Sequence, residues 1–301
     1  MKSIVIGTTF VDIKGFPEGD FCMEGRNAGE IQYVHGGVGR NIVENIARCG
    51  FRPVFISAMD ESPLSEDILK RLSGEGINLD YIVRTKDGLG TWMAIFDKEG
   101  DVAASISKRS DLSRIVEILN RYESEIFQDA DNVLVELDME PEIIDCIMGC
   151  AKKYSLPVFA VISNMGKALE YQAFSREISC FVCNKQEAGM MFDRPESDLT
   201  GERLCELLKE RLLEYPVEKI VITLGAEGAV YYDKADGSAG IVAAAPAKVL
   251  DTTGAGDAFF SGVSMGLGQG DSLKEACKKG ACLAACVIAT KENVCPENTT
   301  L

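Results

Sequence analysis

The chain has 301 residues, 46% of them hydrophobic and 26% charged, enough for one large α/β unit or two modest ones. A net charge of -16 argues against a surface for phosphate backbones, so nucleic acid is not an expected partner, although a local nest of amides can still hold a small anion. No apolar run reaches the roughly 18 residues a membrane span needs, and the opening "MKSIVIGTTFVDIKGF" turns polar too soon for a secretory signal; no membrane association and a cytoplasmic location are expected.

Taken in chain order, a first strand is expected over Ile4–Ile6, ending at Gly7. Asp12 to His35 carries glycine-rich, strand-like pieces with little helical signal. In "NIVENIARCG", Ile42, Ile46 and Cys49 share one helix face and Gly50 provides the stop. A strand over Pro53–Met59 and a helix near Ser65–Glu75 follow. Gly90–Ser107 reads as two β segments joined through "DKEGD" as a hairpin. Next come a strand over Asn132–Leu137, a helix over Pro141–Tyr154 and strands over Pro157–Ile162 and "CFVCN" (Cys180–Asn184). A helix over Glu202–Tyr215, a strand over Lys219–Gly225 and a strand ending near Val249–Leu250 complete the pattern. Unalternating apolar strands between helices predict a parallel sheet covered on both faces, in one continuous domain over residues 1–301. The segments 12–35 and 90–107 are expected to form a small antiparallel flap on it.

The eleven cysteines carry little pattern. Cys180 and Cys183 make one C-x-x-C inside an apolar run, and Cys277, Cys282 and Cys286 fall at helical spacing among Ala and Leu; both groups predict core thiols. With His35 the only histidine, a His-based triad or multi-His metal site is disfavoured, and a carboxylate is the expected base in any enzyme.

The stretch "DTTGAGDAFFSG", Asp251 to Gly262, is the most informative. Ala258, Phe259, Val263 and Leu267 recur at helical spacing, so Gly254, Ala255 and Gly256 stand at a helix N-terminus, where amides lack partners and the dipole is positive. Two readings of Asp257 are open: a first-turn cap, or a general base beside a backbone cradle for phosphate. Phe259 occupies the third glycine position of G-x-G-x-x-G, and no G-K-[ST] follows, so neither common dinucleotide nor Walker cradle is indicated.

"DTTGAGDAF" closely resembles the signature of the ribokinase-like (PfkB) carbohydrate and nucleoside kinases, as do "GGVGRN" (Gly36–Asn41), Asp12 after "IGTTFV", "NKQE" (Asn184–Glu187) and "TLGAEG" (Thr223–Gly228). The resemblance implies a three-layer α/β/α sandwich with a mostly parallel central sheet and a small β-sheet lid. It implies an ATP-dependent phosphotransferase acting on a hydroxyl of a sugar or ribonucleoside. Asp257 would be the base, with Gly254, Ala255 and Gly256 as the anion hole, and Asp12, Gly36, Gly37 and Asn41 would hold the acceptor. Asn184, Thr223, Gly225 and Gly228 would serve the nucleotide, Glu187 would order Mg²⁺ through water, and Asp251 and Thr253 would hold K⁺. Plainer roles stay open: a turn for Asp12, a solvated helix position for Glu187, a helix cap for Asn41. The lid would exclude water, with Trp92, Met93 and Ile95 in lid packing or at the contact of a homodimer formed through the lids.

Within the family, "GGVGRNIVENIARCG" is most similar to bacterial pseudouridine kinases, which phosphorylate the 5′-hydroxyl of a C-nucleoside. "SISKRSDL" (Ser105–Leu112) and "VISNMGK" (Val161–Lys167) depart from their pattern, and Lys108–Arg109 could favour an anionic acceptor or lie in a solvated turn. "ATKENVCP" (Ala289–Pro296) lacks the glycine usual near the cation site. A kinase of a free sugar or sugar phosphate, and a non-catalytic binding sensor on the same fold, are the alternatives.

Overall fold

A computed structural model describes residues 1–98 and 101–301. Among them, the strands are β1 (Ser3–Ile6), β2 (Phe10–Pro17), β3 (Gly29–Gly36), β4 (Val54–Ile56), β5 (Ala58–Met59), β6 (Val83–Arg84) and β7 (Gly90–Phe96). They continue with β8 (Val102–Lys108), β9 (Asn132–Glu136), β10 (Val158–Val161), β11 (Cys180–Asn184), β12 (Lys219–Thr223), β13 (Ala229–Asp233) and β14 (Ala239–Val242).

The main sheet has the order β14-β13-β12-β11-β10-β9-β1-β4, parallel from β4 to β12 and antiparallel across β13 and β14. Adjacent residues of one strand feed opposite cores: Ile4 and Ile6 join Val133 and Val135 on one face, while Val5 joins Leu134 and Phe159 on the other. Burial on both faces is why these strands do not alternate in polarity. The chain runs from β1 outward to β4 and returns to place β9 on the other side of β1, so the order reverses beside β1. Ligands of open α/β sheets bind outside the carboxyl ends of the strands at such a point.

A second sheet, β3-β2-β7-β8, pairs β2 antiparallel to β3 and parallel to β7, with β7 antiparallel to β8, so the expected antiparallel flap is a mixed sheet whose two hairpins join through parallel strands. It stands over the reversal point as a lid. Register puts Asp12 opposite Trp92 and Lys14 opposite Ala94, all on the concave side, while Ile13, Tyr33, Met93 and Ile106 share the outer side. Of the "DKEGD" turn, Glu99 and Gly100 lie outside the described residues.

The helix Val38–Arg48 is fixed by charge inside the protein. Arg40 donates to Glu44 at 2.6 Å, and Arg48 and Arg71 close on the other oxygen of the same carboxylate at 3.1 and 2.7 Å. Arg40 and Glu44 are almost wholly buried. Such an ion cluster persists because removing one member strands the others without water. It holds rigid the turn that carries Asn41.

Three sequence expectations need correction. The strand over Pro53–Met59 is broken at Ser57, whose hydroxyl is bonded to that of Thr9 at 3.0 Å; β4 pairs with β1, while β5 leaves to pair with β6. No strand ends near Val249–Leu250: beyond the edge strand β14 the chain leaves the sheet, and Val249 and Leu250 are 58% and 55% exposed. Val249 instead lines the wall of a cavity. Of the three cysteines in the helix Leu273–Ile288, only Cys277 shares the buried face with Gly280, Leu283 and Val287; Cys282 is exposed and Cys286 half-buried. No described helix is long and apolar enough to cross a membrane.

Candidate active site

Two cavities meet at the N-terminus of the helix Ala255–Gly268. The first, about 280 Å³, lies between the lid and the carboxyl ends of β1 and β9 and is lined by Asp12, Gly37, Asn41, Trp92, Arg109 and Asp257, among others. The second, about 520 Å³, runs along the other side of the tip past Thr223, Gly225, Gly228, Val249, Ala255 and Gly256. Consecutive residues thus face different spaces: Gly256 looks into one and Asp257 into the other.

The tip is built by Gly254, which is in the left-handed region at φ 79° and approaches the backbone of Asn293 so closely that a Cβ would lie 2.2 Å from its carbonyl oxygen. No side chain caps the helix. The Ala255 amide, expected in the anion hole, instead donates to Thr252 O at 3.2 Å; Gly256 and, beyond the expected cradle, Asp257 offer first-turn amides without an intrahelical partner. A Cβ on Gly256 would meet nothing within 4 Å. There is room there for an anion.

Asp257 accepts a 2.6 Å hydrogen bond from Asn41 Nδ2. Burial raises its carboxyl to about 7; the Asn41 bond and the charge of Arg40 resist that rise, and the nearby negative charges of Glu187 and Asp12 add to it. Asn41 is no helix cap. It is the fourth residue of a helix that starts at Val38 with Gly37 before it, and its Oδ1 is buried without a partner. An orphaned acceptor beside a carboxylate calls for a donor from a ligand. Asp12 is raised by burial, with Lys14 and Arg40 pulling it down. A Cβ on Gly36 would sit 2.6 Å from Asp12 Oδ2, which is what glycine at that position permits.

Asn184 and Glu187 form a reciprocal capping box, Asn184 Oδ1 accepting from Glu187 N and Glu187 Oε2 from Asn184 N, each at 2.8 Å. The N-x-x-E spacing therefore has a structural cause of its own. Glu187 lines neither cavity, yet it repels Asp257 and is itself raised, by burial first and by Asp138 second. No cluster of three or more His, Cys, Asp or Glu side chains ready for a metal exists among the described residues. A half-buried carboxylate facing other carboxylates suits a hard cation held chiefly by phosphate oxygens and water. Asp251 Oδ1 accepts from Thr253 N and Oγ1 at 2.8 and 2.7 Å, and the Lys14 ammonium approaches Oδ2 at 3.8 Å.

Several residues that line or brace the first cavity escaped sequence reading. Glu136, at the end of β9, accepts from the amides of Thr8 and Gly39 at 2.6 and 2.7 Å, locking the loop after β1 to the helix that carries Asn41. Asp138 takes Ser163 N at 2.9 Å and Ser163 Oγ at 2.8 Å, and its carbonyl takes Arg109 Nη2 at 2.6 Å. The acids of "VELDME" at a strand end were the available signal. Lys108 is an exposed partner of Asp87, whereas Arg109 turns into the first cavity.

A covered polar pocket and an apolar slot, sharing a helix tip under a β lid, define a kinase of ribokinase-like fold. A model of the pfkB family of carbohydrate kinases matches residues 1–299, and the chain belongs to that family, as a sugar or nucleoside kinase. It is 34% identical over 293 residues to a guanosine-inosine kinase of Exiguobacterium acetylicum, covering 97% of this chain and 96% of the relative. With the pseudouridine kinase of Escherichia coli it shares 22% over 262 residues, covering 87% and 82%. The likeness of the N-terminal glycine motif to pseudouridine kinases thus does not extend to a higher identity over the whole chain. Among solved structures, the ribokinase of Giardia lamblia superposes with a TM-score of 0.82 at 17% identity, covering 99% of this chain and 97% of that one. A ribokinase of Arabidopsis thaliana, complexed with ribose and ATP, gives 0.79 at 20% identity, covering 98% and 96%.

Proposed function

We propose that the protein transfers the γ-phosphoryl group of ATP to the 5′-hydroxyl of a purine ribonucleoside. The carrying observation is the helix tip shared by two cavities, with Asp257 in the polar one and Gly256 in the other. The acceptor hydroxyl gives its proton to Asp257 as its oxygen bonds to phosphorus; the bond from phosphorus to the β–γ bridging oxygen breaks, and ADP leaves. The Gly256 and Asp257 amides stabilise the charge on the moving group. Asp12, Gly36, Gly37 and Asn41 orient the ribose. Thr223, Gly225, Gly228 and an alanine-rich wall hold the nucleotide. Mg²⁺, held through water by Glu187 with Asn184 as its helix-capping partner, would neutralise phosphate charge.

The purine reading rests on two supports. The relative at 34% identity is named for guanosine and inosine. Beyond the polar acceptor end, the first cavity has Phe10, Val38, Trp92 and Leu112 in its wall, surface that a base can cover and a free sugar cannot. Arg109, with one nitrogen tied to Asp138, reaches the same space as a donor for a purine carbonyl. The test is ADP release with ATP, Mg²⁺ and guanosine, inosine, adenosine, pseudouridine or ribose as acceptor. Guanosine and inosine are expected to give the highest kcat/KM. A preference for ribose removes the purine assignment, one for pseudouridine restores the reading of the glycine motif, and turnover of no acceptor at all removes the kinase.

Because Asp257 must be ionised to accept a proton, kcat/KM for the acceptor is expected to fall as pH drops through about 7. Asn41→Leu removes the bond that holds this pKa down and should move the limb to higher pH. A limb that stays in place in the variant breaks the link between the two residues. The apolar outer face of the lid, with Ile31, Tyr33 and Ile106 at 65%, 61% and 73% exposure, supports a homodimer formed through the lids, read by sedimentation.

A further inference from the structure

The loop leading into Gly254 is where a monovalent cation would sit beside Asp251, yet the residues present do not fit one. Asp251 Oδ1 is taken by two donors of Thr253, and the ammonium of Lys14 stands 3.8 Å from Oδ2. Lys14 is 7% exposed, so its charge is already inside the protein and a second cation at the same carboxylate would meet direct repulsion. The neighbouring carbonyls are also occupied. Ile288 O accepts from the amide of Leu250 at 2.7 Å, and Thr290 Oγ1 turns back onto the carbonyls of Val287 and Glu292 at 3.0 and 3.2 Å. The two loops that an ion would bridge are joined here by the chain's own hydrogen bonds.

We propose that Lys14 is the resident cation of the anion-hole loop, a positioning residue whose ammonium replaces a monovalent ion at Asp251 and couples the lid to the helix tip. Its place on β2 gives the coupling a route. Asp12 and Lys14 project from the same face of one lid strand, two residues apart. Lys14 acts electrostatically on both Asp12 in the acceptor cavity and Asp251 at the root of the Gly254 turn. Arg40 is the other cation that Asp12 feels. An acceptor that settles the lid strand through Asp12 therefore also seats the charge that holds the loop 251–253, and with it the amides of Gly256 and Asp257.

The inference rests on the kinase reading, so the experiment has two arms: turnover with the acceptor found by the screen, and ADP affinity by calorimetry. Each is measured for the wild type, Lys14→Met and Lys14→Arg in tetramethylammonium, Na⁺, K⁺ and NH₄⁺ buffers. The wild type is expected to be indifferent to the ion. Lys14→Met should lose roughly ten- to hundredfold in kcat, the range expected when catalytic groups are displaced by about 1 Å, and should regain activity and ADP affinity in K⁺ or NH₄⁺. Lys14→Arg, which keeps the charge, should stay near wild type without added ion. A wild type stimulated several-fold by K⁺ overturns the proposal, as does a Lys14→Met variant that is unimpaired or that no ion rescues. If no acceptor is turned over, the kinase reading fails, and the ion dependence of ADP binding in the variant still decides the role of Lys14.

Discussion

Asp257→Asn is expected to lower kcat by roughly a hundredfold or more, the share general-base catalysis commonly supplies, while ADP binding persists. The replacement keeps shape and polarity and so preserves the packing of the helix tip. It removes the one property the proposed step needs, a carboxylate able to take a proton at near-neutral pH. The wild-type group is suited to that step because burial has raised it to about 7, close to working pH, where a base combines adequate ionisation with proton affinity. Steady-state turnover beside calorimetric ADP affinity checks the prediction. Near-normal kcat in the variant means that another group takes the proton, or that none must.

Gly254→Ala should do comparable damage by a different route. At φ 79° an alanine pays about 1–2 kcal/mol of backbone strain, and its Cβ would be pressed against the Asn293 carbonyl at 2.2 Å. Relief requires the turn to move off the segment behind it, which withdraws the Gly256 and Asp257 amides from the position a phosphoryl group would occupy. Loss of a single such donor commonly costs about 10²–10³ in kcat, so a drop of roughly a hundredfold is expected, with a melting temperature only a few degrees lower. A variant of unchanged kcat and unchanged stability would mean that the tip tolerates the methyl group and that its exact placement is not used.

What was legible in the sequence follows from how the site is assembled. The tip was readable as a glycine-rich helix start because Gly254, Gly256 and Asp257 are neighbours in sequence, but the residues alone left Asp257 open between a cap and a base, and only the resemblance of "DTTGAGDAF" to the kinase signature pointed to the base. Parallel strands were readable from their unbroken apolar runs. Arg109, Asp138, Ser163 and Asn164 left only faint traces, a basic pair, an acid-rich strand end and a segment that departs from its relatives, because separate stretches of chain bring them to one wall. Lys14 left a fainter trace, a basic residue two positions after Asp12 on a strand, and only the fold reveals that its ammonium ends at Asp251. Val249 and Leu250 were misread for a physical reason: apolar residues outside a sheet, Val249 in the wall of a cavity, look in sequence like apolar residues inside one.

The bond between Asn41 and Asp257 spans 216 residues of chain. Closing so long a loop carries an entropic cost that grows with the logarithm of its length. On the ribosome, a nascent polypeptide can have most of its sheet in place while Asp257, the proposed base, is still unsynthesised. With Asp257 as the proposed base, a chain terminated before the helix Ala255–Gly268 would lack the group that drives transfer.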